Sequence, residues 1–93
     1  MAEASSRLDR WLWCARIVKT RTLARDMIHA GHVRLNRRKV LKPGHEVKPG
    51  DVLTIAWAAR VFVWRVTAIP ARRGSAAEAR RIYENVSTAS SKA

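Results

Sequence analysis

The chain is short and strongly basic. Its 93 residues are enough for one compact domain and too few for two. Nineteen Lys and Arg residues stand against seven Asp and Glu, a formal net charge of +12, while 47% hydrophobic residues can still form a core. Because such a charge repels itself within one small domain, we expect a polyanionic partner. Nucleic acid comes first, ahead of an anionic membrane surface or an acidic protein.

The cellular setting is indicated by cysteine usage and hydropathy. The single cysteine, Cys14, excludes an internal disulfide and fits a reduced environment. There is no N-terminal apolar run of signal-peptide length, and no stretch approaches the roughly 18 apolar residues of a membrane span. We therefore expect a soluble, cytoplasmic protein.

Two helices are predicted near the N-terminus, after a polar and flexible lead over residues 1–6. The first covers residues 7–18, with an apolar stripe at helical spacing formed by Leu8, Trp11, Leu12, Ala15 and Val18. The second begins after Thr20, a natural N-cap, covers residues 21–30 and ends at Gly31. Its buried face is predicted to consist of Leu23, Ala24, Met27 and Ile28.

Strands are predicted from residue 32 onward, where apolar and polar residues begin to alternate. Val33 and Leu35 are the inward-facing residues of the first strand, and Ala58-Ala59 is a tight turn later in the chain. In order, the pattern predicts a strand at 32–36, a basic turn at 36–39, a returning strand at 40–41, and an antiparallel pair at 52–57 and 60–68.

The C-terminal part is predicted to be helical. Ser75 and Glu78 have the form of a capping box, which would open a last helix reaching to about residue 86. Residues 87–93 are small and polar and are predicted to be a flexible tail. The whole pattern predicts an α+β domain over residues 7–86. In it, two N-terminal helices pack on a small, twisted antiparallel sheet and a C-terminal helix follows.

Basic side chains are concentrated between residues 7 and 48, where twelve Lys and Arg residues meet only three acids. Arg21, Arg25 and His29 recur every four residues and therefore share one face of the second helix. Thr20 and Arg21 lie at the N-terminus of this helix, where backbone N–H groups and the helix dipole favour a phosphate. We predict a phosphate-binding surface here; the alternative is a helix face that is merely solvated.

Further side chains extend this predicted surface. Trp13 lies off the apolar stripe, three residues before Arg16, and is a candidate for stacking on an unpaired base. The alternative is that Trp13 packs against the C-terminal helix. The complete set of candidate RNA-binding residues is Arg7, Arg10, Trp13, Arg16, Lys19, Thr20, Arg21, Arg25, His32, Asn36, Arg37, Arg38 and Lys39.

A family resemblance rests on short motifs in a fixed order: Arg7-Leu8-Asp9, Lys19-Thr20-Arg21, Ala24-Arg25, the run over residues 28–36, and residues 47–51 with Val52 and Ile55. In this order and spacing, residues 7–55 resemble the alpha-L RNA-binding motif first seen in small-subunit ribosomal protein four, the S-four domain. The flanking residues resemble its stand-alone bacterial members, the heat-shock protein fifteen family and short ribosome-quality-control relatives. Arg37 departs from the family pattern, which usually has Gly there, so a type I′ turn and a longer basic loop both stay open.

The resemblance implies a non-enzymatic activity. Members of this kind bind free large ribosomal subunits that still carry peptidyl-tRNA after a stalled ribosome splits, and they contact ribosomal RNA and the tRNA. In the quality-control branch, a partner factor extends the stalled chain with a tail. The resemblance places Arg7, Lys19, Thr20, Arg21 and Arg25 at RNA-contacting positions, and Gly31, His32 and Asn36 on the following turn and first strand. It implies a ribosome-associated protein without a cofactor, and we expect a monomer.

Other functions fit the sequence less well. An enzyme would need paired acids or a Gly-rich phosphate loop, and Cys14, His29 and His32 form a poor zinc pattern, so neither catalysis nor a metal is expected. A DNA-binding helix-turn-helix matches the two helices but not the β-rich second half. A membrane surface would require an exposed amphipathic apolar face. A general nucleic-acid-binding stress protein, or a module that assists an RNA-modifying enzyme, stays as an alternative.

Overall fold

Two helices and a five-stranded antiparallel sheet share one core in the computed structural model, which describes residues 4–86. The elements are β1 (Ser6–Arg7), α1 (Leu8–Cys14), α2 (Arg21–His29), β2 (Val33–Leu35), β3 (Arg38–Lys39), β4 (Glu46–Val47), β5 (Val52–Trp57), β6 (Arg60–Val66), α3 (Ala76–Ala79) and β7 (Tyr83–Asn85). The sheet has the order β3-β2-β5-β6-β7, and β1 pairs separately with β4. The predicted α+β class and its small antiparallel sheet are confirmed.

The core forms where the apolar faces of α1, α2 and the sheet meet. Residues on β5 alternate, so that Leu53 and Ile55 are buried while Ala56 is exposed. The buried hydrophobic residues from the three parts include Leu8, Trp11 and Leu12 from α1, Ala24, Met27 and Ile28 from α2, and Val33, Leu53, Ile55, Trp64 and Val66 from the sheet. Leu23 was predicted to be buried on α2, but this residue is 37% exposed.

Helix α1 ends at Cys14, four residues before the predicted end. Arg16 has a left-handed backbone (φ 64), and the N–H groups of Arg16 and Ile17 donate to the carbonyls of Trp13 and Leu12. This is a Schellman motif, which usually has glycine at the left-handed position. Gly31 (φ 84) ends α2 in the same way. The apolar stripe did not reveal the end of α1, because Ala15 and Val18 beyond it are still buried and no glycine stands there.

The turn after Asn36 contains two residues. Asn36 (φ 50) and Arg37 (φ 76) both have positive φ, and Leu35 pairs with Arg38 on either side of them. Positive φ at both central residues is the requirement of a type I′ turn, so the longer basic loop is not formed. The returning strand is consequently β3 rather than the predicted residues 40–41.

The prediction of a long C-terminal helix is wrong. The capping box of Ser75 and Glu78 is present, but α3 is only four residues long, and β7 then pairs with β6. The rings of Trp64 and Tyr83 stack with centroids 3.7 Å apart and planes 6° apart. The helical spacing of apolar residues is equally compatible with a short strand, and an open edge of β6 provides the backbone partners that favour the strand.

The two predicted flexible ends lie mostly outside the described residues. Residues 1–3 and 87–93 belong to this outside part, whereas Ser6 is a buried residue of β1, opposite Val47. Within residues 4–86, no helix is long and apolar enough to span a membrane.

Candidate nucleic-acid interface

A buried carboxylate holds two arginines together at the start of α1. Asp9 is fully buried; its Oδ1 accepts from Arg7 Nε (3.2 Å), from Arg21 Nη2 (3.2 Å) and from the Arg10 amide (2.7 Å), and its Oδ2 accepts from Arg7 Nη2 (3.2 Å). Burial opposes the anion, but the hydrogen bonds from Arg7 and the Arg10 amide, with the charges of Arg21 and Arg7, outweigh it and lower the pKa of Asp9. Asp9 therefore keeps its charge and fixes the position of both guanidinium groups.

Both arginines keep N–H donors that no other described residue uses. Arg7 leaves Nη1 uncommitted, and a Cβ atom added at Gly44 would lie 3.4 Å from it. In Arg21, Nε is buried without a hydrogen-bond partner within residues 4–86. The hydrogen bond with Asp9 also raises the pKa of Arg7, which stays charged. Both side chains are nevertheless partly exposed, 55% for Arg7 and 38% for Arg21, so the pair can attract an additional anion without giving up Asp9.

The N-terminus of α2 lies next to this pair. Thr20 is the predicted N-cap, and its side chain accepts from the Leu23 amide at 3.1 Å. The amides of Arg21 and Thr22 have no acceptor among the described residues. Because these N–H groups carry the positive end of the helix dipole, they add to the attraction that the guanidinium groups exert on an anion.

The basic face of α2 is exposed, as its four-residue spacing predicted. Lys19, Arg25 and His29 are exposed, and Arg25 makes one side-chain hydrogen bond, to Thr22 Oγ1 at 3.3 Å. No carboxylate of residues 4–86 pairs with Lys19 or Arg25. This face therefore offers its positive charges to solvent or to a bound polyanion.

Arg10 on α1 and Arg16 just after it, which were predicted to bind RNA, donate instead to backbone carbonyls of the chain itself. Arg10 Nη2 donates to the carbonyl of Ala71 at 2.6 Å, and Arg16 donates from Nε and Nη2 to the carbonyl of Gly74 at 3.0 and 2.8 Å. These bonds hold the segment over residues 68–74 against α1. Backbone carbonyls of this segment therefore accept from arginine N–H groups that were predicted to contact RNA.

Trp13 is half-buried beneath Arg73. The Arg73 guanidinium lies 4.9 Å from the centre of the Trp13 ring, and Arg73 Nε donates to the Trp13 carbonyl at 3.0 Å. A base could stack on this face of the indole only after Arg73 had moved away. The contact is a packing contact with the C-terminal segment, close to the alternative considered for Trp13, although the partner is a loop.

Comparison with known proteins decides the family. A family model of the S4 domain matches residues 6–53, more than half of the chain. The chain belongs to the S4 domain family. Both parts of the predicted resemblance are confirmed, because the chain is also 42% identical over 78 residues to Heat shock protein 15 of Escherichia coli K12, covering 84% of this chain and 58% of that protein.

Two further similarities place the chain among S4 domain proteins. A solved structure of Vibrio cholerae Heat Shock Protein 15, described as trimeric, matches with a TM-score of 0.86 at 34% identity, covering 95% of this chain and 88% of that one. Small ribosomal subunit protein uS4 of Thermosipho africanus is 38% identical over 55 residues, covering 59% of this chain and 26% of that protein. The chain therefore spans less than two thirds of the length of the curated relatives.

All the candidate residues lie within the part that matches the S4 domain, but the structure divides them. Asn36 is used internally: its Nδ2 donates to Asp51 Oδ1 at 3.1 Å, and its Oδ1 accepts from the Val52 amide at 3.0 Å. Arg37, Arg38 and Lys39 are exposed. His32 is exposed as well, with its ring 6.5 Å from that of Trp57.

Three basic residues of the S4 domain were missed by the sequence interpretation. Lys42, His45 and Lys48 lie between β3 and β5 and line a groove together with Arg7. Their only sequence signal is the density of basic residues between positions 7 and 48. They lie in irregular backbone and turns, where no period assigns side chains to a face.

The described residues contain no cluster of three or more His, Cys, Asp or Glu side chains that could hold a metal ion. Cys14 is buried, and this burial raises the pKa of its thiol despite the nearby charges of Arg10, Arg73 and Arg21. A protonated, buried thiol is a poor nucleophile. The arrangement of side chains at the interface is suited to binding anions.

Proposed function

We propose that this S4 domain protein is a non-enzymatic RNA-binding protein whose main contact surface is the N-terminal end and basic face of α2 with the β2–β3 turn. The observation that carries the proposal is the pair Arg7 and Arg21, held by a buried carboxylate beside two uncapped helix amides. Such an arrangement binds a phosphate through charge and N–H donors together. Lys19 and Arg25 extend it along the helix.

We further propose that the target is the large ribosomal subunit left with peptidyl-tRNA after a stalled ribosome splits. Ribosomal RNA and tRNA are then the ligands, and a factor that adds a tail to the nascent chain is the protein partner. Support comes from similarity to a protein named for heat shock and to a ribosomal protein. In this role the protein works in the cytoplasm in association with ribosomes.

The test is co-sedimentation of the purified protein with large ribosomal subunits that carry or lack peptidyl-tRNA. The variant Lys19→Ala with Arg25→Ala should bind several-fold more weakly, because two phosphate contacts are lost. The substitutions break no ion pair among residues 4–86. The matched control is Arg80→Ala with Arg81→Ala, which removes the same charge from exposed positions outside the S4 match. An equal loss of affinity in both variants would mean that the interaction is a non-specific electrostatic attraction.

General nucleic-acid binding is the second candidate, because a net charge of +12 attracts any polyanion. A competition experiment separates the two functions. If duplex DNA displaces the protein from ribosomal RNA at equal phosphate concentration, the RNA assignment fails. The oligomeric state needs its own measurement by sedimentation equilibrium, since we expect a monomer and the solved relative is described as trimeric.

A further inference from the structure

A basic groove lies beside the β2–β3 turn, apart from the exposed face of α2. Its cationic lining consists of Arg7, Arg38, Lys39, Lys42 and Lys48, with His45 among them. We propose that this basic groove binds an unpaired RNA strand, which continues from the phosphate site at Arg7 and Arg21. The proposal rests on the proposed function in taking RNA as the ligand. It adds a second contact surface, which prefers unpaired to base-paired RNA.

The groove is built by backbone contacts that hold the loop after β3 against α1. The amide of Leu8 donates to the carbonyl of His45 at 2.8 Å, and the amide of Asp9 donates to that of Pro43 at 3.1 Å. The β1–β4 pair fixes the end of the same loop, with Ser6 opposite Val47. Because these bonds tie the backbone of the loop to α1, the backbone positions that carry the cations are set before any ligand arrives.

The charges in the groove are not balanced. Glu46 and Asp51 are its two acidic lining residues, against five permanently charged cations. Asp51 is buried, and its carboxylate accepts from Asn36 Nδ2 and from the Lys48 amide rather than from a charged side chain. Among residues 4–86, the single ion pair that involves a groove cation is Arg7 with Asp9. Four cations are therefore left for a bound polyanion.

Arg7 connects the groove to the α2 surface. Two of its nitrogens contact Asp9, which also holds Arg21, while Nη1 lies close to Gly44 in the loop that lines the groove. A phosphate bound between Arg7 and Arg21 would thus lie beside the groove. The next phosphates of the same strand could then follow Lys42 and Lys48.

The shape of the groove favours a polymer over a small molecule. Its volume is about 1280 Å³, and it is partly open to solvent, whereas a small-molecule pocket encloses roughly 300–1,000 Å³. Leu41, which is 53% exposed, adds an apolar surface to the wall of the groove, and His45 adds an aromatic ring. Unpaired bases can lie against such surfaces, while the bases of a duplex are stacked inside and cannot. The continuity with the Arg7–Arg21 site favours RNA over an acidic peptide.

The test compares two RNAs and three proteins by fluorescence anisotropy over a series of salt concentrations. The RNAs are an oligouridylate of about 12 nucleotides and a stable RNA hairpin. The groove variant is Lys42→Ala with Lys48→Ala, and the control of equal charge is Arg80→Ala with Arg81→Ala. For oligouridylate, the groove variant should lose about tenfold in affinity and about 1.4 units of log–log salt slope, the value for two lost single-strand phosphate contacts. Its hairpin affinity should match that of the control.

Three results of the anisotropy experiment would overturn the proposal: equal losses in the groove variant and the control, equal losses for both RNAs, or displacement of oligouridylate by polyglutamate at equal charge. Photo-cross-linking of the unaltered protein to thiouridine-substituted oligouridylate gives a readout that does not depend on a variant. Cross-links should fall within residues 38–48. Cross-links confined to residues 19–29 would contradict RNA binding in the groove and would still agree with the proposed RNA-binding surface on α2. Failure of both RNAs to bind the unaltered protein would instead reject the proposed function.

Discussion

The basic side chains of α1 and those of α2 are close in sequence but have different partners. Arg10 on α1 and Arg16 just after it donate to carbonyls of residues 71 and 74. Lys19 just before α2 and Arg25 on it are exposed, and within residues 4–86 neither pairs with a carboxylate. The difference arises because the C-terminal segment passes over α1 and leaves α2 open. A basic side chain is therefore available to RNA through those N–H donors that carbonyls and carboxylates of the chain leave unengaged.

The largest expected effect comes from the residue that joins the two regions, Asp9. In Asp9→Asn, Arg7 and Arg21 lose their shared anion, and breaking a buried ion pair in this way costs stability. Because both arginines are partly exposed and can be rehydrated, we expect a loss of about 2–3 kcal/mol in the free energy of unfolding. Urea denaturation measures it. RNA affinity should fall as well, since the two guanidinium groups are no longer held together.

The same carboxylate gives a pH dependence. The pKa of Asp9 is lower in the folded protein than its ordinary value near 3.9, so the unfolded chain takes up the proton first as the pH falls. The stabilisation is complete above that ordinary value and is lost as the pH drops through the lower folded pKa. Asp9→Asn should flatten the stability curve in this acid range. A variant as stable as the unaltered protein, with the same acid slope, would rule out the role assigned to Asp9.

A smaller effect on stability is expected from removing the arginines of the α1 region, and it tests whether these residues hold the C-terminal segment rather than RNA. Arg10→Ala with Arg16→Ala removes bonds to the carbonyls of Ala71 and Gly74, and we expect unfolding to become easier by about 1–2 kcal/mol. RNA affinity at a temperature where the variant is folded should change no more than in a charge-matched control such as Arg80→Ala with Arg81→Ala. A selective loss of RNA binding without a change in stability would mean that these arginines leave the C-terminal segment to contact RNA.

The smallest effect concerns the turn after Asn36. Arg37→Gly relieves a left-handed backbone and should stabilise the protein by roughly 0.5–1 kcal/mol, measured by thermal denaturation. The change also removes a cation, so the log–log salt slope of RNA binding should fall by about 0.7–0.9. Ala59→Gly is the matched control, because Ala59 (φ 63) occupies the equivalent position of another two-residue turn and carries no charge. It should gain similar stability and leave the salt slope unchanged.

Sequence reasoning succeeded wherever a short-range pattern has one structural solution. The stripe of Leu8, Trp11 and Leu12 and the alternation of Val33 and Leu35 correctly located parts of the core. It failed where two solutions share a pattern. The spacing of Ile82 and Tyr83 suits a helix, but the open edge of β6 turned this segment into β7. The end of α1 was missed because Arg16 adopts a conformation that usually belongs to glycine.

The candidate site divides in the same way. By itself, the sequence determined the net charge, its concentration in the first half, the exposed basic face of α2 with its Thr20 cap, and the family, since all of these depend on residue type and spacing alone. Only the tertiary structure decided which basic residues are available. Long-range contacts buried Asp9 between two arginines and placed residues 68–74 over α1. They also brought Lys42 and Lys48 beside Arg7. Hydrogen bonds and ion pairs form only between groups that lie a few ångströms apart in space, so the distant partners of Asp9, Arg10 and Arg16 are set by the fold.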